Sequence, residues 1–185
     1  MNKKIKVIGI TGPAHCGKDT AADYLLKHLP FGFTKASFAD PIKEMARGLG
    51  LTYGQLYGNL KDVTDPALGC TPRKILQTLG TEWGRELIHP DVWVRAMVIK
   101  LQGLENGAGF VMPDVRFENE ANFVREHGVL IHITGRFDNG DSQVEQHVSE
   151  SGVKLEPGDI PIRNDDLIDT FYDYLAETMR LINEY

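Results

Sequence analysis

Residues 5–29 read IKVIGITGPAHCGKDTAADYLLKHL, and this stretch constrains the fold more than any other. Ile5 to Ile10 is a short apolar run that ends at a Thr-Gly turn. Its length and lack of alternation suit a parallel strand buried on both faces. From Gly17 onward Ala21, Ala22, Leu25, Leu26 and Leu29 recur at helical spacing. Between strand and helix, Gly12, Gly17 and Lys18 fit the spacing G-x-x-x-x-G-K. Both glycines let the backbone turn tightly, so N–H groups of the loop residues Ala14, His15 and Cys16 can point at phosphate oxygens. The new helix adds the positive end of its dipole, and Lys18 adds a mobile cation. The usual hydroxyl residue after the lysine is replaced by Asp19, with Thr20 next. A carboxylate set directly against a polyphosphate would be repelled. Asp19 is therefore expected to point away, into the sheet or toward a neighbouring basic group.

The rest of the chain repeats the alternation. Strands are expected at Phe33–Phe38, Gly109–Met112, Val129–Thr134 and Ile160–Ile162. Asp40-Pro41 predicts a helix to about Leu49 with Asp40 as N-cap, and Thr71-Pro72 opens another by the same cap logic, with a weak point at Gly80. Further helices are expected over 90–104, 118–127 and from Leu167 to the C-terminus, with a glycine-rich loop at 50–70. Strands alternating with helices imply an α/β layer fold around a parallel sheet. A chain of 185 residues fits one domain. The net charge of -6 argues against a grip on nucleic acid polymers or anionic membrane. The apolar start is too short for a signal peptide or membrane span. Cys16 and Cys70 lack metal-ligand spacing and read as free thiols of a reducing cytoplasm. Residues 135–158 are polar and aperiodic, the pattern of a mobile lid.

The block GKDTAADYL is followed in order by SFADPIKEMA at 37–46, TPRKILQTLGTEWGRE at 71–86, DVRFENEA at 114–121, HVSE at 147–150 and IPIRNDDLIDT at 160–170. This ordered set resembles the deoxynucleoside monophosphate kinases of tailed bacteriophages, a branch of the P-loop nucleoside monophosphate kinases, over nearly the whole chain. The resemblance implies a three-layer P-loop kinase fold with a five-stranded parallel sheet, flanking helices and two flaps in a single domain over 1–185. It implies an acceptor-binding region near 40–90 and a lid near 135–158. It also implies transfer of phosphate from ATP, with Mg²⁺, to a deoxynucleoside monophosphate in the host cytoplasm, and leaves a homodimer open. Kinases of the adenylate-kinase type carry G-K-G-T, also without a hydroxyl directly after the lysine. Their Mg²⁺ is held mostly by phosphates and water, in keeping with its reluctance to dehydrate.

Phosphoryl transfer needs two phosphates in line and their charge neutralised. Lys18 serves the loop. Arg73 and Arg85 lie 12 residues apart, on one broad side of an unbroken helix. Both could reach the acceptor phosphate, and a solvated helix face is the ordinary alternative. Gln77 could read a base edge and Trp83 could stack on the base, or simply pack in the core. Asp40 and Lys43 are placed near the acceptor, although a cap and a surface lysine explain them equally. Asp114 and Arg116 follow the third strand at the carboxyl edge where open sheets bind ligands. There Asp114 could hold the Mg²⁺ water shell and Arg116 the transferred group, or the two could pair. Glu118 and Glu120 read as exposed helix residues. Arg136, His147 and Glu150 fall in the lid, and Arg136 would close over the ATP phosphates. Arg163 and Asn164 would lie near the adenine by fold analogy. The alternatives are a P-loop kinase for another small acceptor, such as dephospho-coenzyme A, and a nucleotide-binding ATPase or switch.

Overall fold

The structure is a computed structural model that describes residues 5–29, 32–105, 107–135, 152–165 and 167–184. In chain order the elements are β1 (Val7–Thr11), α1 (Lys18–His28), β2 (Phe33–Lys35), α2 (Asp40–Gly48), α3 (Tyr53–Leu56) and α4 (Pro72–Thr78). A π-helical segment (Leu79–Ile88) follows, then α5 (Val92–Gln102), β3 (Gly109–Met112), α6 (Glu118–His127), β4 (Gly128–Thr134), β5 (Ile160–Arg163) and α7 (Ile168–Glu184). The chain divides into two compact units, residues 1–37 with 103–185, and residues 38–102.

The first unit holds a five-stranded sheet in the order β2-β3-β1-β4-β5, parallel throughout. This is the expected α/β sheet. The second strand is shorter than expected and leaves the ladder after Lys35, although Ala36 N–H still donates to the Val111 carbonyl at 3.0 Å. Every residue of β1 is buried, as its unbroken apolar run requires. Strand alternation then sorts the faces. Ile8, Ile10, Val111, Ile131 and Ile133 join Ala21, Ala22 and Leu25 of α1 and Phe171 and Leu175 of α7 in one core. On the other face α6 packs so closely that a Cβ at Gly9 would meet Val124 at 2.7 Å. Helices on both faces of the sheet make the three layers.

A polar network fastens this unit where apolar packing does not reach. Asp159 is almost fully buried. Its carboxylate accepts from Arg125 Nε at 3.0 Å and Nη2 at 2.8 Å, from Glu156 N–H at 2.9 Å and from His132 Nε2 at 3.0 Å. Arg125 on α6 also reaches Glu118 and the Lys154 carbonyl. Burial alone would push Asp159 upward, but the Arg125 and backbone hydrogen bonds and the nearby positive charge hold it below the usual carboxylate range. One arginine thus ties residues 154–159 to α6 and, through Asp159, to β4.

The second unit is helical. Ala46 of α2, Leu51 and Leu56 of α3 form its small core against Ile75, Leu76 and Leu79. Thr71 caps α4 by accepting from Lys74 N–H at 3.2 Å, with Pro72 in the first turn, as expected. Asp40 does not cap α2. The N-cap is Ala39, without a side-chain bond, and Asp40 lies in the first helical turn, where its charge meets the dipole. The expected weak point at Gly80 is a change of winding: from Leu79 the helix is π rather than α. The Trp93 indole lies against Gly84, where a Cβ would strike the ring, and donates Nε1–H to the Gly80 carbonyl at 2.8 Å. On α5, Trp93, Met97 and Leu101 are buried at i, i+4 and i+8. Among the described residues no helix is long and apolar enough to cross a membrane.

Replacing Arg125 with Met leaves a buried carboxylate without its main partner and should cost about 3 kcal/mol of stability at pH 7. Because the folded-state pKa of Asp159 is depressed, its contribution is present above the unfolded value and is lost as pH falls through the folded value. Urea denaturation of both proteins should show the gap at pH 7 closing below about pH 4. An undiminished gap at low pH would show that Asp159 ionisation is not its source.

Candidate active site

The loop after β1 has the backbone of an anion cradle. Gly12 (φ 147°) and Gly17 (φ 101°) lie in the region that side chains rarely adopt. A Cβ at Gly12 would run into the Ile133 carbonyl and Cys16 Sγ. Between them His15 is the lone non-glycine residue with positive φ among the described residues, at 63°. This is the local strain that sites built from backbone N–H groups carry. Gly17 is the N-cap of α1 and offers no side chain, so no cap competes for the first N–H groups of the helix. Lys18 curls back over the loop, donating Nζ to the Gly12 carbonyl at 2.8 Å and the Pro13 carbonyl at 2.6 Å. Cys16 is buried beneath it. Burial raises its thiol pKa despite the opposing Lys18 charge, which favours the neutral thiol. Cys16 and Cys70 are both free.

Two partners of the loop come from elsewhere in the sheet. Asp19 turns away from the cradle to Lys35 at the end of β2, Nζ to Oδ1 at 2.7 Å. Asn164, after β5, donates Nδ2 to the Cys16 carbonyl at 2.9 Å, while its own N–H donates to Thr134 at the end of β4. The side chain expected near adenine is therefore engaged in shaping the phosphate loop. Its neighbour Arg163 pairs with Asp165.

Asp114 and Arg116 sit just past β3. Val115 N–H donates to the Ile10 carbonyl at 3.1 Å, which lays this segment beside the end of β1. Arg116 Nε donates to Asp114 Oδ1 at 2.7 Å. Glu120 is not exposed as expected: it is buried, and Oε2 accepts the N–H groups of Arg116 and Phe117 at 3.0 and 3.3 Å. It fixes the segment that carries Asp114. Thr20 is half-buried in the first turn of α1. The edge of the first unit therefore gathers the loop, Asp114, Arg116, Arg163 and Asn164. Arg136, His147 and Glu150 lie outside the described residues, as does most of the lid.

The acceptor candidates all fall in the second unit. Lys43 on α2 stands over the Tyr57 ring, 4.4 Å from its centroid, and Tyr53 stacks on Tyr57 at 4.9 Å. Asp40 is 3.5 Å from Lys100 Nζ. Arg73 on α4 is held by Asp62 through two bonds, Nε at 2.5 Å and Nη2 at 3.0 Å, and this pairing lowers the Asp62 pKa. Gln77 is half-buried one turn later. Trp83 is 40% exposed and its ring lies 6.4 Å from that of Trp93. Arg85 Nη1 donates to the Gly80 carbonyl at 2.9 Å. The change of winding matters for the two arginines. On an unbroken α-helix they would stand a third of a turn apart. A π-helix holds about 4.4 residues per turn, so the stretch from Leu79 to Arg85 gives back roughly that third and brings them near one azimuth.

Sequence reasoning missed Lys35, Asp62, the Arg125–Asp159–His132 network and the Tyr53–Tyr57 pair. The first three depend on pairings 11 to 34 residues apart, for which local spacing carries no signal. Thr52 with Gln55 does form a capping box, a local cue that marks α3 and hence the tyrosines.

Comparisons with known proteins bear on the family and the fold. The family model described as deoxynucleotide monophosphate kinase matches residues 53–175. The chain is 34% identical to a protein of Acanthamoeba polyphaga mimivirus provisionally named deoxynucleotide monophosphate kinase, over 91% of this chain and 93% of that one. It is 40% identical to the deoxynucleoside-5'-monophosphate kinase of Escherichia phage T5 over 32% of this chain and 24% of that one. A weaker match, 24% identical, joins it to the deoxynucleotide monophosphate kinase of Enterobacteria phage T4 over 60% and 46%. The matched stretches span less than half of either phage protein. Among solved structures, a dephospho-CoA kinase from Campylobacter jejuni superposes with a TM-score of 0.52 at 18% identity, covering 96% of this chain and 97% of its own. That likeness is one of fold. From the family model and the near full-length relative together, the chain belongs to the deoxynucleotide monophosphate kinase family.

Proposed function

We infer that this chain transfers the γ-phosphoryl group of ATP to a deoxynucleoside monophosphate, giving ADP and the deoxynucleoside diphosphate. The observation that carries the reading is the side-chain-free helix N-terminus at Gly17 with Lys18 beside it, in a chain of this family. A non-bridging oxygen of the acceptor phosphate attacks the γ-phosphorus, the bond to the β-γ bridging oxygen breaks, and no protein group needs to be phosphorylated. Loop N–H groups of residues 14–20 hold the polyphosphate. Lys18 exchanges its two carbonyl partners for phosphate oxygens, a charged pair in place of two neutral ones. Arg116 and Arg136 neutralise charge on the group in flight. Arg73 and Arg85 take the acceptor phosphate, and Gln77, Trp83, Asp40 and Lys43 surround the acceptor nucleoside. Arg163 and Asn164 flank the adenine side.

When Mg²⁺ is bound with the nucleotide, the chemistry it would supply is positive charge that offsets that of the phosphates. Among the described residues no three His, Cys, Asp or Glu side chains converge into a cage, and an ion held by phosphates and water needs none. Asp114 suits that arrangement: it is partly exposed at the sheet edge, and its Oδ1 already accepts from Arg116. It would hold one water of the ion's shell. The reading puts the protein in the host cytoplasm, where deoxynucleotides are made, acting as one kinase domain. A homodimer is compatible with it.

A panel of ribo- and deoxynucleoside monophosphates with Mg-ATP, scored for diphosphate, tests the assignment directly. Diphosphate from at least one deoxynucleotide is expected, and it should fall roughly 100-fold or more in Lys18→Ala with the fold retained by circular dichroism. Turnover of dephospho-coenzyme A alone would move the protein to another acceptor class. ATP hydrolysis with no response to any monophosphate would make it an ATPase.

Arg73→Met separates the acceptor role from general damage. The KM for the monophosphate should rise about tenfold or more while the KM for ATP stays within about twofold. Equal rises in both constants would remove Arg73 from the acceptor site.

A further inference from the structure

We infer that Lys35 is a positioning residue for nucleotide binding: by holding the Asp19 carboxylate away from the phosphate loop and neutralising it, it lets an acidic helix start accept a polyphosphate. The inference rests on the phosphate-loop reading above. Asp19 is the second residue of α1 and shares its first turn with the N–H groups that face the loop. A negative charge there is favourable to the empty helix, whose N-terminus is partially positive, but it stands within about one helical turn of where phosphate charge must sit. Left alone, it would cancel the adjacent Lys18, leaving the cradle with no net side-chain charge.

Lys35 answers this from a different element. It is the last residue of β2, and its Nζ lies 2.7 Å from Asp19 Oδ1 and 3.4 Å from Asp23 Oδ1, one turn further along the same face. The ammonium bridges the two carboxylates and draws Asp19 along α1, away from the loop. Burial by itself would lower the Lys35 pKa, yet the bond to and charge of Asp19, with Asp23 behind, raise it, so the lysine stays charged throughout the neutral range. Lys18, Asp19 and Lys35 then sum to one positive charge beside the loop, and Asp23, the weaker partner of Lys35, stands one turn further from the anion. Lys35 and Asp19 are both well exposed, so the pair contributes little to stability. Its effect belongs in ligand affinity, where an uncompensated charge close to a polyphosphate is felt at low salt.

The test is a charge cycle on the whole chain, read by equilibrium binding of Mg-ATP without acceptor, at 50 and at 300 mM salt. Lys35→Met is expected to weaken ATP about fivefold at low salt, with most of the loss gone at high salt. Lys35→Arg should keep affinity within about twofold of the parent, and Asp19→Asn should bind at least as well as the parent. The double variant Lys35→Met/Asp19→Asn should return to within about twofold of the parent, since no carboxylate is left to compensate. Melting temperatures should stay close across the series, which separates the effect from unfolding. Unchanged ATP affinity in Lys35→Met at low salt would overturn the inference. So would a double variant as weak as Lys35→Met alone, because Lys35 would then act on something other than Asp19. A parent protein that binds ATP and shows this cycle but makes no diphosphate would refute the proposed reaction while leaving the Lys35 role standing.

Discussion

The first unit depends on the burial of one strand. β1 is enclosed on both faces and paired on both edges, to β3 and β4, so its backbone groups are satisfied until Thr11. Beyond that residue the sheet offers nothing more, and the chain must leave at the carboxyl edge. The strand order reverses at β1, with β2 reached on one side and β4 on the other. This is where an open sheet leaves a crevice. Loop shape, helix start and the proposed chemistry all follow from that exit. Asn164 shows how tightly it is held, since this one residue after β5 ties the end of β4 through its backbone N–H and the loop through its side-chain amide.

Within each unit the charges are matched in a way suited to exchange. The chain is acidic overall, and several of its basic side chains rest on nearby carboxylates: Arg73 on Asp62, Arg116 on Asp114, Arg163 on Asp165 and Lys35 on Asp19. Two of these, Arg73 and Arg116, are arginines proposed to meet nucleotide phosphates. For such a residue, binding replaces a carboxylate partner with a phosphate rather than making a pair from nothing. The net gain is smaller, and an anion with poor geometry does not repay the bond it breaks. Exposed pairs of this kind are cheap to separate. The buried Arg125–Asp159 pair is of the opposite sort and serves architecture.

What the sequence disclosed follows the range of the interactions. β1 and α1 were legible because period and burial coincide, and α4 because Thr71-Pro72 is a complete local cap. Asp40 misled because Asp-Pro is equally compatible with the first helical turn, where it lies. The π winding had no local signature. It goes with an indole from α5 seated on Gly80 and Gly84, a contact between helices. Glu120 looked like any surface glutamate, and only the fold turns it inward onto the N–H groups beside Asp114. Of the candidate residues, the loop set was readable in place, whereas the partners that hold Arg73, Asp19 and Asn164 belong to pairings the sheet and helices create.

Trp83 and Trp93 are the chain's two tryptophans, and both belong to residues 38–102. All of the protein's indole emission therefore arises in one unit, from two rings 6.4 Å apart, one half-exposed and one buried. The phosphate loop and its sheet are optically silent by comparison. Nature has in effect labelled the helical half of the molecule: light emitted at indole wavelengths reports on Gly80, Gly84 and their π-wound turn, undiluted by the half that carries Lys18.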